Sequence, residues 1–501
     1  MSMNPEAIKR FKQLQHDIKL NTYLMSILEW DGETIAPVNG GATRAEAMAM
    51  LAGKVHDLTT SQEAHDLVDE LSHEGNLDNQ TADELRVFSR DLRESSSISK
   101  EEEEDYTRLI CESSDVWHAV KNTGDWDSFA PYVDRMVTTL TKRAQAINPK
   151  ADPYDVLLDL NERSLTTQEF DKFCNQVRKT IVPLVHAITE KGEQTRPEFL
   201  DAYMSESAQL ALSQEILSIE GLDMNGVAIG LVEHPFSDGY AAGDVRIATH
   251  LYTHDLTDNV FSMLHEGGHA IYEQNINPAY AYSCLSGGTS MGIHESQSRF
   301  MENVVGRSRA FMDPLLSLLK KHAPEIFNNV TADELYRAVN IAQPTLIRTS
   351  ADELTYSLHI MVRYEIERML FNGEATAKDV PQLWAHYMKE YLGLDVPNNT
   401  VGCLQDTHWS DGSFGYFPSY ALGSAYAAQY LQAMKDDGIK FNESLEKADF
   451  APIDAWLKKH IWVYGRAQDG PELVKDACGK PFDVTYYCDY LTAKFSELYN
   501  L

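Results

Sequence analysis

The segment DLTDNVFSMLHEGGHAIY, residues 255–272, decides how the centre of this chain folds. Its apolar residues recur at helical spacing: Val260, Phe261, Leu264 and Ile271. That spacing predicts an α-helix with one buried stripe. Asp255 or Thr257 can cap the amino end of this helix. The helix in turn fixes which polar side chains of the segment share a face.

His265 and His269 belong to an H-E-x-x-H pattern within this helix. Histidines four residues apart stand on one helical face and can hold one metal ion, with Glu266 beside the open coordination position. A carboxylate placed there can take a proton from an attacking water molecule. The pattern therefore predicts a catalytic metal site with Glu266 as general base.

Gly267 and Gly268 separate the two halves of the pattern. Each costs about 1 kcal/mol inside a helix. A helix with two ordinary surface or core histidines is the alternative interpretation, but it does not explain this cost. The paired glycines indicate that a substrate or another stretch of backbone approaches closely at this point.

A zinc site of this kind needs a third protein ligand. Glu273 lies one turn beyond His269 on the same helix, where it is badly placed to close a tetrahedron. Glu295 follows a glycine-rich break at 286–288 and opens a second helical stretch, 293–305, so we expect Glu295 to be the ligand. His294 is the alternative ligand, and Glu302 fits better as an outer partner of a ligand.

Helical periodicity also dominates the rest of the chain. Apolar stripes are found from Pro5, across 81–92, after Glu101, across 166–188 and across 351–370. In the fourth of these stripes Thr166 begins the helix as an N-cap and Pro183 is expected to kink it. The segments 227–232 and 245–249 are short and β-rich, which predicts strands of one small sheet.

The composition excludes several classes of protein. The chain has 501 residues and a formal net charge of −33, which makes nucleic acid and anionic membranes poor partners. Its six cysteines include no CxxC pair, and no signal-like or membrane-spanning apolar run is visible. These features predict a reduced, soluble, cytoplasmic protein.

Several linked motifs resemble one known family, the thermostable metallocarboxypeptidases of the carboxypeptidase Taq type. The motifs that carry the resemblance, in the order of that family, are HPF at 234–236, HESQSR at 294–299, IRTSAD at 347–352 and GCLQDTHW at 402–409. Glu295 of the second motif follows His269 by 26 residues. The resemblance extends over essentially the whole chain.

The resemblance implies a mainly α fold with a deep groove and a small sheet beside it, similar to neurolysin and angiotensin-converting enzyme. It implies one gluzincin-like metal site with ligands His265, His269 and Glu295, holding Zn²⁺ or, as in relatives, Co²⁺ or Mn²⁺. The implied activity is removal of single amino acids from the free C-termini of peptides. Relatives are usually homodimers. We expect residues 1–501 to form one peptidase unit, with a helical part of about residues 1–220 covering the groove and a catalytic part of about 221–501.

The same resemblance suggests further site residues. His408 and Tyr420 are similar to the histidine and tyrosine that stabilise the oxyanion in converting-enzyme relatives, although an aromatic-rich loop can equally be core. Arg348 is the candidate for binding the substrate's terminal carboxylate, because its planar fork fits both oxygens. An ordinary ion pair, for example with Asp352, is the alternative role for Arg348. Arg246 is the rival anchor, and His234 is a candidate contact to the substrate backbone.

Two other functions remain open from the sequence. A metallo-endopeptidase of the oligopeptidase class shares the H-E-x-x-H pattern and the distant glutamate, but it cleaves internal bonds. A helical protein with a purely structural metal would normally close the site with four protein ligands and would not need Glu266.

Overall fold

The computed structural model describes residues 4–192, 194–232, 235–241 and 243–501. It is 69% helical with one three-stranded sheet, which confirms the predicted mainly α class. Among the described residues, no helix is both long enough and apolar enough to cross a bilayer.

The described residues before the sheet form nine α-helices. Their bounds are α1 Pro5–Thr34, α2 Gly41–Thr59, α3 Gln62–Ser72, α4 Asn79–Ser96, α5 Lys100–Val120, α6 Trp126–Ile147, α7 Pro153–Asn161, α8 Thr167–Thr189 and α9 Glu206–Ile219. Helices α1, α3 and α4 share a small core of their own that includes Phe11, Leu67 and Phe88. Thr166 caps α8 as predicted, and the helix continues past Pro183.

The sheet consists of β1 Val227–Leu231, β2 Phe236–Ala241 and β3 Asp244–Thr249, in the order β1-β3-β2. The predicted strands β1 and β3 are confirmed and pair in parallel, whereas β2 pairs antiparallel with β3. Sequence reasoning missed β2 because Ser237, Asp238 and Gly239 have low β propensity. Pairing with the buried strand β3 imposes the extended conformation on them.

Twelve α-helices follow the sheet in the described range 243–501. Their bounds are α10 Leu256–Asn275, α11 Met291–Arg299, α12 Met312–His322, α13 Pro324–Phe327, α14 Ala332–Val339, α15 Tyr356–Phe371, α16 Val380–Leu392, α17 Phe417–Asp436, α18 Phe441–Leu445, α19 Ala451–His460, α20 Gly470–Cys478 and α21 Thr485–Tyr499. A π-helical segment, Phe300–Gly306, continues α11. The helix predicted from residue 351 begins only at Tyr356, because Asp352 accepts the backbone N–H groups of Leu354 and Thr355 and holds a turn there.

Helix α10 lies at the centre of the main hydrophobic core. That core draws buried residues from Leu109 to Leu498, on both sides of residue 220. Helix α10 packs against α9, strands β2 and β3, and α11, and α11 packs in turn against α17. The helix with the H-E-x-x-H pattern is therefore held by neighbours on several sides, which fixes the direction of its side chains.

Two glycines allow the helices around α10 to approach closely. A Cβ at Gly268 would lie 2.5 Å from the carbonyl oxygen of Gln297 and 2.7 Å from Cα of Ser298, both on α11. A Cβ at Gly423 of α17 would lie 2.6 Å from Cγ of Glu295. The close approach of another backbone, expected from the glycine pair in α10, is confirmed at Gly268.

Replacing Gly268 with Ala is expected to lower the free energy of unfolding. Overpacking against a backbone that cannot move aside costs about 1–3 kcal/mol, which outweighs the gain of about 1 kcal/mol in helix propensity. Denaturant unfolding of the metal-free chain measures the change. Gly53→Ala in α2 is the matched control, because a Cβ there meets nothing within 4 Å and the variant should gain stability. A Gly268→Ala variant as stable as the parent would contradict the packing argument.

Candidate metal centre

Helix α10 presents both histidines of the pattern on its face toward α11. Asp255 caps the helix by accepting the backbone N–H of Asp258 at 3.3 Å. The rings of His265 and His269 lie with their centroids 5.0 Å apart. Burial lowers the pKa of His269 to about 3, so this ring is neutral, as a metal ligand must be.

Glu295 completes the group from α11. Its Oε2 atom lies 3.6 Å from Nε2 of His265 and 3.6 Å from Nε2 of His269. Across the part of the chain that the structure describes, these three residues are the only group of His, Cys, Asp and Glu side chains whose ligand atoms all lie within 4.8 Å of one another. Two imidazole nitrogens and one carboxylate oxygen facing a common point fit a divalent metal ion with an open position.

Arg299 holds the Glu295 carboxylate from the side away from the histidines. Its Nε atom donates to Oε1 of Glu295 at 2.7 Å, which leaves Oε2 directed at the two rings. Burial acts to raise the pKa of Glu295, but Arg299 and the histidines outweigh it and keep the pKa below its usual value. The carboxylate is therefore ionised, and its Oε2 atom, which also accepts from the Ser298 hydroxyl at 3.2 Å, can bind a cation on the side of the histidines.

The start of α11 is held by a buried carboxyl group that the sequence did not single out. Glu162, which follows α7, accepts hydrogen bonds from the Ser290 hydroxyl at 2.8 Å and from the backbone N–H of Gly292. Burial raises the pKa of Glu162 to about 7. This contact fixes the helix that carries Glu295 against the amino-terminal part of the chain.

Glu302 lies behind His265, on the side away from Glu295. Its Oε2 atom is 3.0 Å from Nδ1 of His265, and it also accepts from Arg299 at 3.2 Å. Arg307 donates to the other oxygen, Oε1, at 3.3 Å. Arg299 and His265 lower the pKa of Glu302 to about 2, against the effect of burial. An ionised Glu302 holds the His265 proton on Nδ1 and leaves Nε2 free for a metal ion.

The remaining candidate ligands, His294 and Glu273, lie outside the group. Nδ1 of His294 is 2.6 Å from Nδ1 of His269, and Nε2 of His294 is 2.9 Å from Oε1 of Glu273. His294 therefore faces the rear of the His269 ring rather than the common point where Glu295 meets the histidines.

Glu266 lies beside the group and is only 6% exposed. Its Oε2 atom has no hydrogen-bond partner among the described residues. Burial raises the pKa of Glu266 above that of a free glutamate. A buried carboxyl oxygen without a partner is costly to keep, so its retention beside a group of candidate metal ligands is typical of a functional group.

His408 and Tyr420 are brought together by the loop before α17. Nε2 of His408 lies 3.2 Å from the Tyr420 hydroxyl, and its ring stacks on Phe417 at 4.4 Å between centroids. Burial and the nearby Arg348 guanidinium lower the pKa of His408 to about 4, so the ring is neutral near pH 7. In this neutral pair one group donates to the other, and the proton that is not used in their contact can be offered to a bound group.

Glu367 of α15 fixes this loop, a role that no motif revealed. Its carboxylate accepts hydrogen bonds from Tyr154 at 2.9 Å, Trp409 Nε1 at 2.8 Å and the backbone N–H of Gly415 at 2.9 Å. Trp409 is the neighbour of His408 in the chain, and Gly415 begins the turn into α17. The only sequence signal for Glu367 is a charged residue inside the apolar stripe at 351–370.

Arg348 is buried beside the His408 and Tyr420 pair. Its partner is Asp406 rather than Asp352: Nε of Arg348 donates to Oδ1 of Asp406 at 2.9 Å. Arg363 binds the other oxygen of Asp406, so two guanidinium groups share one carboxylate. Because two positive guanidinium groups share the single negative charge of Asp406, this region has an excess of positive charge, which suits binding of an anionic group.

Tyr356 connects this positive region to the candidate metal ligands. Arg348 donates to the Tyr356 hydroxyl at 2.9 Å, and the Arg299 guanidinium lies 4.2 Å from the centroid of the Tyr356 ring. Arg299 is the residue that holds Glu295. The predicted ligands, His408, Tyr420 and Arg348 therefore form one connected region.

Of the two remaining predicted residues, only Arg246 is among the described ones. Arg246 on β3 forms a double hydrogen bond with Asp244 on the same strand, at 2.9 Å for each contact, and lies against Trp30 and Tyr240. His234 lies outside the described residues.

Comparison with known proteins agrees with the geometry. The sequence matches the family Carboxypeptidase Taq (M32) metallopeptidase over residues 10–495. It is 36% identical to Carboxypeptidase 1 of Bacillus subtilis, covering 98% of this chain and 99% of the relative, and 32% identical to Thermostable carboxypeptidase 1 of Pyrococcus furiosus, covering 98% of each.

Solved structures of other proteins are also similar to this chain, in both fold and sequence. The M32 carboxypeptidase of Deinococcus radiodurans superposes with a TM-score of 0.96 at 30% identity, over 99% of this chain and 100% of that one. Metallocarboxypeptidase 1 of Trypanosoma cruzi gives a TM-score of 0.93 at 31% identity, over 98% and 99%. This chain therefore belongs to the carboxypeptidase Taq (M32) family of metallopeptidases and is a metal-dependent carboxypeptidase.

Proposed function

We propose that this carboxypeptidase releases single amino acids from the free C-termini of peptides, with broad specificity, and that it uses one metal ion held by His265, His269 and Glu295. The observation that carries the proposal is the convergence of these three donors beside the buried, unpartnered carboxyl oxygen of Glu266. Zn²⁺ suits this donor set, and Co²⁺ or Mn²⁺ are the alternatives.

A divalent ion bound there supplies Lewis-acid chemistry that polarises the scissile carbonyl and activates water. Glu266 takes the proton from the attacking water and delivers it to the leaving amine. The raised pKa of Glu266, caused by its burial, suits a group that must accept and then release a proton. Exclusion of bulk water from this buried carboxyl group directs the proton to the reacting atoms.

His408 and Tyr420 are proposed to stabilise the negative oxygen that develops on the attacked carbonyl. The Tyr420 hydroxyl keeps its proton, because burial raises its pKa well above that of free tyrosine. The Glu367 contacts to Trp409 and Gly415 hold both donors in place. Donors fixed before the reaction spend little energy on reorganisation during it.

Arg348 is proposed to bind the terminal carboxylate of the substrate. Its support is the shared use of Asp406 by Arg348 and Arg363, which leaves one of two buried positive charges without its own anion. In a chain of net charge −33 such a local cation is needed to attract an anionic terminus. Arg246, which binds Asp244 through two nitrogens as Arg348 binds Asp406, is the rival anchor, and His234 is a proposed contact to the substrate backbone.

The wider organisation of the enzyme is also a proposal. We propose that residues 1–501 work as one peptidase unit, with residues 1–220 covering a groove above residues 221–501, and that the enzyme is a cytoplasmic homodimer. The support is the family membership, together with the main core that joins both parts of the chain. The acidic charge argues against nucleic acid as a partner.

An unblocked peptide should be shortened one residue at a time from its C-terminus. Mass spectrometry of a time course would show this ladder, and a chelator should stop it until Zn²⁺ or Co²⁺ is added back. An N-terminally blocked peptide is the control and should give the same ladder. Internal fragments as first products would instead indicate the metallo-endopeptidase, which the family membership does not favour.

Glu266→Gln should reduce kcat by at least about 100-fold, because the amide cannot act as general base. The variant should still bind one Zn²⁺ ion per chain, since the three proposed ligands are unchanged. Turnover on peptide and Zn²⁺ content together measure the two effects. Glu390→Gln, at an exposed position of α16, is the control and should behave like the parent. Full turnover by Glu266→Gln would refute the mechanism and favour a structural metal.

Arg348→Gln should lower kcat/KM for peptides with a free C-terminus by about 10- to 100-fold, the loss expected for a charge-assisted hydrogen bond. The decisive measurement is the ratio of kcat/KM for a free peptide to that for its C-terminal amide. This ratio should fall in Arg348→Gln and stay unchanged in Arg246→Gln. The reverse result would assign the anchor to Arg246.

A further inference from the structure

The two histidines of the metal group differ in what lies behind them. Behind His265 is a carboxylate, because Nδ1 of this ring contacts Glu302 directly at 3.0 Å. Behind His269 is a second imidazole, since its Nδ1 atom lies 2.6 Å from Nδ1 of His294. A contact between two ring nitrogens requires one ring to donate and the other to accept.

Glu273 determines which ring donates. Its Oε1 atom lies 2.9 Å from Nε2 of His294 and accepts the backbone N–H of Gly288 at 3.0 Å. A carboxylate only accepts, so His294 carries its proton on Nε2 and donates it to Glu273. In the tautomer that has its single ring proton on Nε2, His294 presents Nδ1 to His269 as an acceptor.

His269 consequently carries its own proton on Nδ1 and donates it to His294. Its Nε2 atom then carries no proton, and the lone pair of this atom is available on the side of Oε2 of Glu295, which lies 3.6 Å away. In the opposite tautomer His294 would carry its proton on Nδ1 and donate it to Nδ1 of His269. The proton of a neutral His269 would then have to be on Nε2. In that state His269 could not bind a metal ion through Nε2.

Two glycines make space for the side chains of Glu273 and His294. A Cβ at Gly239 of β2 would lie 2.3 Å from Cγ of Glu273, and a Cβ at Gly288 would lie 2.5 Å from Cδ2 of His294. The His294 ring also packs against Tyr272 with the centroids 5.2 Å apart. Both side chains are thus held from several sides, as positioning groups need to be.

We propose that His294 and Glu273 are positioning residues that hold His269 in the tautomer able to bind the metal ion, an inference that rests on the metal centre proposed above. Their effect acts through His269, so it should be seen first in metal affinity. Loss of such an outer partner typically weakens metal binding about 10- to 100-fold.

The test is the Zn²⁺ dissociation constant of the full-length chain, measured by competition with a chromophoric chelator. His294→Phe keeps an aromatic ring but removes the acceptor, so binding should weaken about 10- to 100-fold. His294→Asn can place an amide oxygen near the position of Nδ1, so it should recover much of this loss. Glu273→Gln keeps an acceptor oxygen but loses the charge, and its affinity should fall between that of the parent and that of His294→Phe.

Three controls separate the possible failures. His386→Phe, at an exposed position of α16, should bind Zn²⁺ like the parent, and His269→Ala should lose the ion. Failure of the parent to bind Zn²⁺ would overturn both the proposed metal centre and this inference. Parent-like affinity in His294→Phe would overturn this inference alone. Thermal unfolding of each metal-free variant reports whether that variant folds. Should His294→Phe fail to fold, Glu273→Gln decides instead, and parent-like Zn²⁺ affinity in Glu273→Gln would overturn the inference.

Discussion

The close contact of α10 with α11 is the constraint on which the rest of the site depends. At Gly268 the backbone of α11 lies where a side chain would otherwise project, and Gly423 of α17 allows the same approach to Glu295 from the other side. Only at this spacing can a carboxylate from one helix reach imidazoles on another within the short reach of their side chains. The cost of glycine inside a helix is thus offset by the geometry that it permits.

Buried charge is the second constraint, since the metal group concentrates carboxylates in an already acidic chain. Arg299 binds both Glu295 and Glu302, and Arg307 binds Glu302 from the far side. Breaking such a buried pair leaves an uncompensated charge, which is far more costly than the pair itself is stabilising. These arginines thus have a structural role in addition to setting which carboxylate oxygen faces the histidines.

Tyr356 links two of the buried arginines, because it contacts Arg299 with its ring and Arg348 with its hydroxyl. The metal ligands and the positive region around Asp406 therefore share a common support on α15. With Arg348 in its proposed role, these contacts tie the site that binds the substrate terminus to Arg299, the residue that holds Glu295. This arrangement suits an enzyme that must cleave at a fixed distance from a chain end.

The sequence by itself determined the helical class, the strands β1 and β3, and the residues of the H-E-x-x-H pattern, because helical and strand periodicity and local spacing act within a few residues. It also singled out Glu295, through position in a motif rather than through geometry. Only the tertiary structure decided that β2 is a strand, that α15 begins at Tyr356, and that Asp406 and not Asp352 pairs with Arg348. The contacts of His294, Glu273, Glu162 and Glu367 were likewise invisible, because each joins side chains or backbone groups from separate parts of the fold. Contacts of that kind have no period and no fixed spacing, and they exist only once the helices have packed.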